Sequence, residues 1–101
     1  MEIWKAVHDP YYKRYYEVSS HGRVRNKLTG RLPKRMTYRQ TRLYPPFVYL
    51  SRNKKRKHYS VAELVANAFI GPGSEDQILR HKDGDRFNNQ VNNLQWGFVR
   101  A

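Results

Sequence analysis

The sequence predicts an α+β domain, and three observations predict it. Apolar residues in the first half come in brief alternating runs bounded by Gly, Asn, Pro and Ser, one later segment has helical periodicity behind a capping box, and the last quarter reads as strand, polar turn and strand. With 101 residues there is room for one domain, or for two very small modules sharing a core. Folding at this size buries under about two thirds of the surface of the unfolded chain, so the core is thin. Aromatic residues make up 14% of the chain, eight of them tyrosines and two tryptophans, and such side chains bury much area per residue.

Taken in order, Tyr15 to Val18 reads as a strand, His21-Gly22 as a turn and Arg23 to Arg25 as a second strand with Val24 pointing inward. Asn26 to Gly30 supplies another turn, and the chain returns through Arg31 to Arg35. After Pro45-Pro46, the apolar and β-prone run Phe47 to Leu50 pairs with Lys57 to Tyr59 across a basic tip, Arg52 to Arg56. Ser60 followed three residues later by Glu63 is a capping-box pattern, in which each side chain satisfies a backbone N–H that the first helical turn leaves unpaired. A helix begins there, with Val61, Leu64, Val65, Ala68 and Phe69 on one apolar face, and Gly71-Pro72 closes it. A short strand follows around Ile78 to Arg80. The expected division is a β-rich module over residues 1–45 and a second unit over 46–101, with one shared core.

Charge narrows the class of partner. Twenty Lys and Arg against eight Asp and Glu give a net charge of +12, spread over the whole length, and a field of that sign attracts polyanions. Nucleic acid is the first candidate. A membrane surface is a weaker one, because no segment joins a long apolar face to a basic face. The absence of cysteine excludes disulfides and any zinc-thiolate site. Met1 to Val7 lacks the apolar run of a signal peptide or span, so a cytoplasmic protein, in the host cell cytoplasm if phage-encoded, is expected.

The stretch with chemical content is His81-Lys82-Asp83-Gly84-Asp85, then Asn88-Asn89, then Asn92-Asn93-Leu94-Gln95-Trp96-Gly97. A histidine beside two carboxylates serves base catalysis or binds a divalent metal, since imidazole and carboxylate suit both. Asp, Asn and Gly are also ordinary loop formers. The residues alone leave these alternatives open.

The same stretch resembles the HNH motif of phage and intron homing endonucleases, which show His, x, Asp, Gly, then paired Asn, then Asn-Leu-x-Trp at this spacing. Val61 to Ile70 is similar to the helix that precedes that motif. Trp4-Lys5 with Tyr16 to Arg25 resembles the modular DNA-binding motif of the NUMOD class, so the likeness spans nearly the whole chain. The resemblance implies a ββα-metal (His-Me finger) hairpin, a divalent ion, Mg2+ or Mn2+, at the scissile phosphate, and double-stranded DNA as partner. It makes His81 the general base and Asn93 the residue that holds that histidine and its loop in place. Asp83, Gly84, Asn88 and Asn89 would shape the loop, and Leu94 and Trp96 would pack the second strand on the core.

Two positions depart from the family pattern. Arg80 stands where related enzymes often carry a metal-ligating side chain, and protonated arginine cannot ligate a metal; it counts here among the DNA-binding residues. Phe98 takes the position of a Thr, and the sequence reaches Ala101 before the helix that bears the final ligand, so the motif is expected to be truncated, with Asp83 and Asp85 the remaining metal candidates. For phosphate contact the residues are Arg23, Arg25, Arg31, Lys34 and Arg35 in the first module and Lys54, Lys55, Arg56 and Lys57 in the basic hairpin. Tyr38, Arg39, Gln40 and Arg42 are candidates for base edges. The leading function is hydrolysis or nicking of DNA. The rival is a catalytically degenerate HNH scaffold that binds DNA or a protein partner as a phage regulator or inhibitor.

Overall fold

The computed structural model describes residues 1–31 and 46–98, and among these the chain forms seven strands and one helix. Lys34, Arg35, Tyr38, Arg39, Gln40 and Arg42, and with them the return segment to Arg35, the boundary at 45 and the terminal Ala101, lie outside the described residues.

Strands β1 (Trp4–Ala6), β2 (Tyr16–Ser19) and β3 (Val24–Asn26) form an antiparallel sheet in that order, with Trp4 opposite Ser19 and Val18 opposite Val24. The expected hairpin is present, and both Val18 and Val24 are fully buried. Ser19 organises its turn, because its buried hydroxyl accepts from the backbone N–H of His21 at 3.2 Å and of Arg23 at 3.0 Å. Strand β1 has no counterpart among the expected elements. Of its three residues Lys5 and Ala6 are exposed, so the strand has no apolar alternation to detect, and it is set by pairing to β2 and by Ile3 bonding Ser20.

Strands β4 (Phe47–Arg52) and β5 (Lys55–Ser60) pair over their full length. The expected five-residue tip shrinks to Asn53-Lys54, whose φ values of 51° and 65° give the left-handed two-residue turn whose twist matches a hairpin. Lysine at positive φ is uncommon, which is why composition pointed to a longer loop. Val48 and Leu50 face the core, while Phe47, Tyr49 and His58 cluster on the other face with Arg56 over the Tyr49 ring at 5.4 Å.

Helix α1 (Val61–Phe69) begins at the expected cap, where the Ser60 Oγ accepts from the Glu63 N–H at 3.0 Å. Val61, Leu64 and Val65 of the expected face are buried, and Ala68 and Phe69 pack partly buried against the same core. Strands β6 (Gln77–His81) and β7 (Leu94–Phe98) make the final hairpin, joined by a long polar loop that ends in a 3-10 turn at Val91–Asn93.

One apolar cluster takes Val7, Tyr12, Tyr16, Val18 and Val24 from the first segment and Val48, Leu50, Leu64, Val65 and Leu94 from the second. Tyrosines tie the halves together as well as filling space. The hydroxyls of Tyr16, Tyr11 and Tyr12 donate to the carbonyls of Ser51 (2.9 Å), Arg52 (3.3 Å) and Lys55 (3.3 Å), so a buried ring carries its polar tip to hairpin backbone.

Candidate active site

The last hairpin places His81 at the end of β6, opposite Leu94, which is buried and anchors β7 to the core. Trp96 is held from the helix side, its indole N–H donating to the Gly71 carbonyl at 2.8 Å. The hairpin is therefore fixed at the start and the middle of β7, and the chain between His81 and Asn93 is a built loop.

Asp83 is the centre of that loop. One of its carboxylate oxygens accepts from the Asp85 N–H (2.8 Å) and the Asn93 amide (2.9 Å), and the other accepts from the Asn88 amide (2.9 Å). These bonds to Asn88, to the Asp85 backbone and to Asn93 hold the Asp83 carboxyl below its ordinary range. Asp85 does a smaller version of the same thing, accepting from the Phe87 N–H at 2.9 Å. Asn93 is buried and closes the loop from the other side, taking the Asp83 N–H on its Oδ1 and giving its amide to the Asn88 carbonyl and to Asp83. Its carbonyl also accepts from the Lys82 N–H at 2.7 Å, next to His81.

The side chain that meets the imidazole is Asn89, whose Oδ1 stands 2.7 Å from His81 Nε2. Asn93, expected to hold the histidine and its loop, bonds the loop through its side chain and the backbone beside the histidine through its carbonyl, without touching the ring. Asn89 is itself buried and wedged against the first sheet. Gly22, at φ +87°, approaches so closely that a Cβ there would stand 3.0 Å from the Asn89 carbonyl oxygen, and Val91 N–H donates to the Ser20 carbonyl at 2.9 Å. The turn between β2 and β3 thus forms one wall of the histidine's support. Two adjacent asparagines carry no sequence cue as to which faces the ring; the contact with the distant Gly22 is what selects Asn89.

At His81 the described residues do not gather a cage for a divalent ion. Among the described residues no three His, Cys, Asp or Glu side chains converge, and Asp83 and Asp85 are turned into the loop. Arg80 lies on the opposite face of β6 from His81, as strand alternation requires, and crosses β7 to donate to the Phe98 carbonyl at 3.1 Å. Gly97 is the residue beneath it, where a Cβ would come within 2.5 Å of Arg80 Nε.

The basic residues divide into tethered and outward sets. Arg23 and Arg25 pair with Glu2 and Glu17, and Arg25 also stacks at 3.8 Å over Trp4. The Arg23 guanidinium, with Ser19 beside it, holds the Glu2 carboxyl down to about 2. Lys57 lies 3.6 Å from Asp9. Arg52, overlooked in the sequence except as part of the tip, bonds the Tyr11 carbonyl at 2.8 Å between the Tyr11 and Tyr15 rings. Arg31, Lys54, Lys55 and Arg56 are exposed. Trp4, His21, Arg23, Arg25 and Phe87 border an open groove between the first sheet and the His81 loop.

A βα scaffold with a histidine-bearing polar hairpin behind a basic β-module is the arrangement that the HNH resemblance implies. Comparison with known proteins agrees in each part. Residues 2–44 match the NUMOD4 motif. The chain is 37% identical over 81 residues to an uncharacterized HNH endonuclease of Acanthamoeba polyphaga mimivirus, covering 80% of this chain and 23% of that protein. It is 31% identical over 98 residues to the DNA endonuclease I-HmuI of Bacillus phage SP01, covering 92% of this chain and 51% of that protein. The solved structure of the HNH homing endonuclease I-HmuI, determined for DNA binding and cleavage, matches with a TM-score of 0.79 and 28% identity over 95% of this chain and 52% of that one. The chain therefore carries a NUMOD4 motif and is similar over most of its length to HNH endonucleases, and it spans about half the length of I-HmuI and less of the mimivirus protein. No helix among the described residues is long and apolar enough to cross a membrane.

Proposed function

We propose that the chain binds double-stranded DNA and hydrolyses a phosphodiester bond with His81 as general base. The observation that carries this reading is the histidine itself, presented at a strand end with one ring nitrogen bonded to a buried asparagine and the loop around it closed by Asp83 and Asn93. A base fixed in this way is oriented before substrate arrives, which is where much of the gain from positioning comes from.

Asn93 acts through the loop. Arg31, Lys54, Lys55 and Arg56 are the exposed cations that meet phosphates, while Arg23, Arg25 and Lys57 also reach DNA only by sharing or leaving a carboxylate partner. Arg80 steadies the hairpin from behind and adds positive charge beside the strand. For Lys34, Arg35, Arg39 and Arg42 the support is charge alone. The family resemblance implies Mg2+ or Mn2+, but the described residues do not form a site for the ion, so the chemistry assigned to them is base catalysis on water and binding of the DNA backbone.

Incubating the purified chain with supercoiled plasmid in Mg2+ and in Mn2+ tests the proposal. Nicked or linear product that requires the ion supports it. Salt-sensitive binding with no product under either ion would remove the hydrolytic half and leave the binding half standing.

A further inference from the structure

We infer that Asn89 is the positioning residue that makes Nδ1 the basic nitrogen of His81, and that the turn of the N-terminal sheet holds Asn89 in place to do so. The inference rests on the reading of His81 as base and adds which atom of the ring takes the proton and what fixes it.

A neutral imidazole has one N–H donor and one lone-pair acceptor, and the partner of one nitrogen decides the state of the other. The Asn89 Oδ1 is an acceptor only, and it stands 2.7 Å from Nε2. The proton of neutral His81 therefore sits on Nε2, and the lone pair on Nδ1. In the reaction, Nδ1 takes a proton from water while the water oxygen forms a bond to phosphorus, and the P–O bond to the leaving oxygen breaks. That oxygen departs with the electron pair and is protonated by solvent. The imidazolium that results donates from both nitrogens, so the bond to Asn89 is kept throughout.

An asparagine performs this duty only if it cannot turn, and Asn89 is held in place. It is 5% exposed. Before it, the Asn88 carbonyl accepts from Asn93 and the Asn88 N–H donates to the Asp85 carbonyl. After it, the Val91 N–H donates to the Ser20 carbonyl, and the bare Cα of Gly22 seats directly against the Asn89 backbone and Cβ. The first pair of restraints lies within the hairpin loop, and the second comes from the turn of the N-terminal sheet. The position of the base is thus built jointly by both halves of the chain.

Imidazole 15N spectra of the whole chain test the inference without any requirement for cleavage. The expected result is a neutral His81 with its proton on Nε2, exchanging with water at least about tenfold more slowly than in Asn89→Ala. Asn89→Asp, which keeps an acceptor oxygen at the same place, is expected to retain the slow proton, and it serves alone if the alanine variant does not fold. A wild-type proton on Nδ1, or equally fast exchange in wild type and Asn89→Ala, overturns the inference. In plasmid cleavage Asn89→Ala is expected to lower the rate about 10- to 100-fold with DNA affinity within about twofold. An unchanged rate also overturns it. If the wild-type chain does not cleave at all, the assignment of His81 as base fails, and the ring spectra still decide the role of Asn89.

Discussion

Gly22 presses on Asn89 so closely that an added Cβ would stand 3.1 Å from the asparagine Cβ and 3.0 Å from its carbonyl oxygen. At φ +87° this position also disfavours any side chain on backbone grounds. Gly22→Ala is therefore expected to destabilise the fold by about 1–3 kcal/mol, read from the urea midpoint. It is also expected to lower cleavage more than DNA affinity, because the displaced residue is the one that supports His81. Equal losses in both would place the effect in the DNA-binding surface instead.

Asn93 is the second residue on which the loop depends. Its amide and carbonyl oxygen make three bonds to Asp83 and Asn88 from a buried position. Asn93→Ala removes all three, one of them to a charged carboxylate, at a cost of about 1–3 kcal/mol. A loss under about 0.5 kcal/mol by denaturant unfolding would mean that water replaces these bonds and that the loop is not closed as described.

Acid is expected to open the same loop. Asp83 has its carboxyl lowered from an ordinary 3.8 by Asn88, Asp85 and Asn93, so its contribution is fully present above that value and is lost as pH falls below it. Glu2, lowered from 4.5 to about 2, behaves likewise at the Arg23 pair, with its contribution lost as pH falls from 4.5 through about 2. Amide exchange at Asp85 and Lys82 followed from pH 5 downward checks the first, and Asp83→Asn is expected to give the acid behaviour already at about pH 5. Exchange that stays unchanged as pH falls well below 3.8, through the lowered range of Asp83, would contradict its assignment as the loop's organiser.

For DNA affinity the exposed hairpin tip is the sharper target. Replacing Lys54, Lys55 and Arg56 together by alanine is expected to flatten the dependence of log affinity on log salt by about 2 to 3, since each phosphate left without its cation removes about 0.9 from the slope. A slope unchanged in that triple variant would move the phosphate-binding surface elsewhere.

How far these features could be read from sequence depends on whether their cause is local. Ser60 with Glu63, the face from Val61 to Val65 and the inward Val24 are set by neighbours within a few residues, and each stands where periodicity and capping place it. Strand β1 and the short turn at Asn53-Lys54 were missed because their cause is pairing across the chain, not composition. In the site, His81 and the loop were legible through spacing and family likeness. That Asn89, expected only to shape the loop, meets the ring was not, because its placement is set by Gly22 and Ser20 in the other module. Charge counting likewise marked Arg23 and Arg25 for phosphate, without showing that Glu2 and Glu17 already answer them.

The most direct measurement compares wild type with His81→Ala on one supercoiled plasmid, scoring binding and nicking in the same ion-containing buffer. The variant is expected to bind within about twofold of wild type and to cut at least about a hundredfold more slowly, the scale of a missing general base. Cleavage that survives in His81→Ala would contradict the role given to this histidine, since the nucleophile would then be activated by some group other than the one this loop is built to hold.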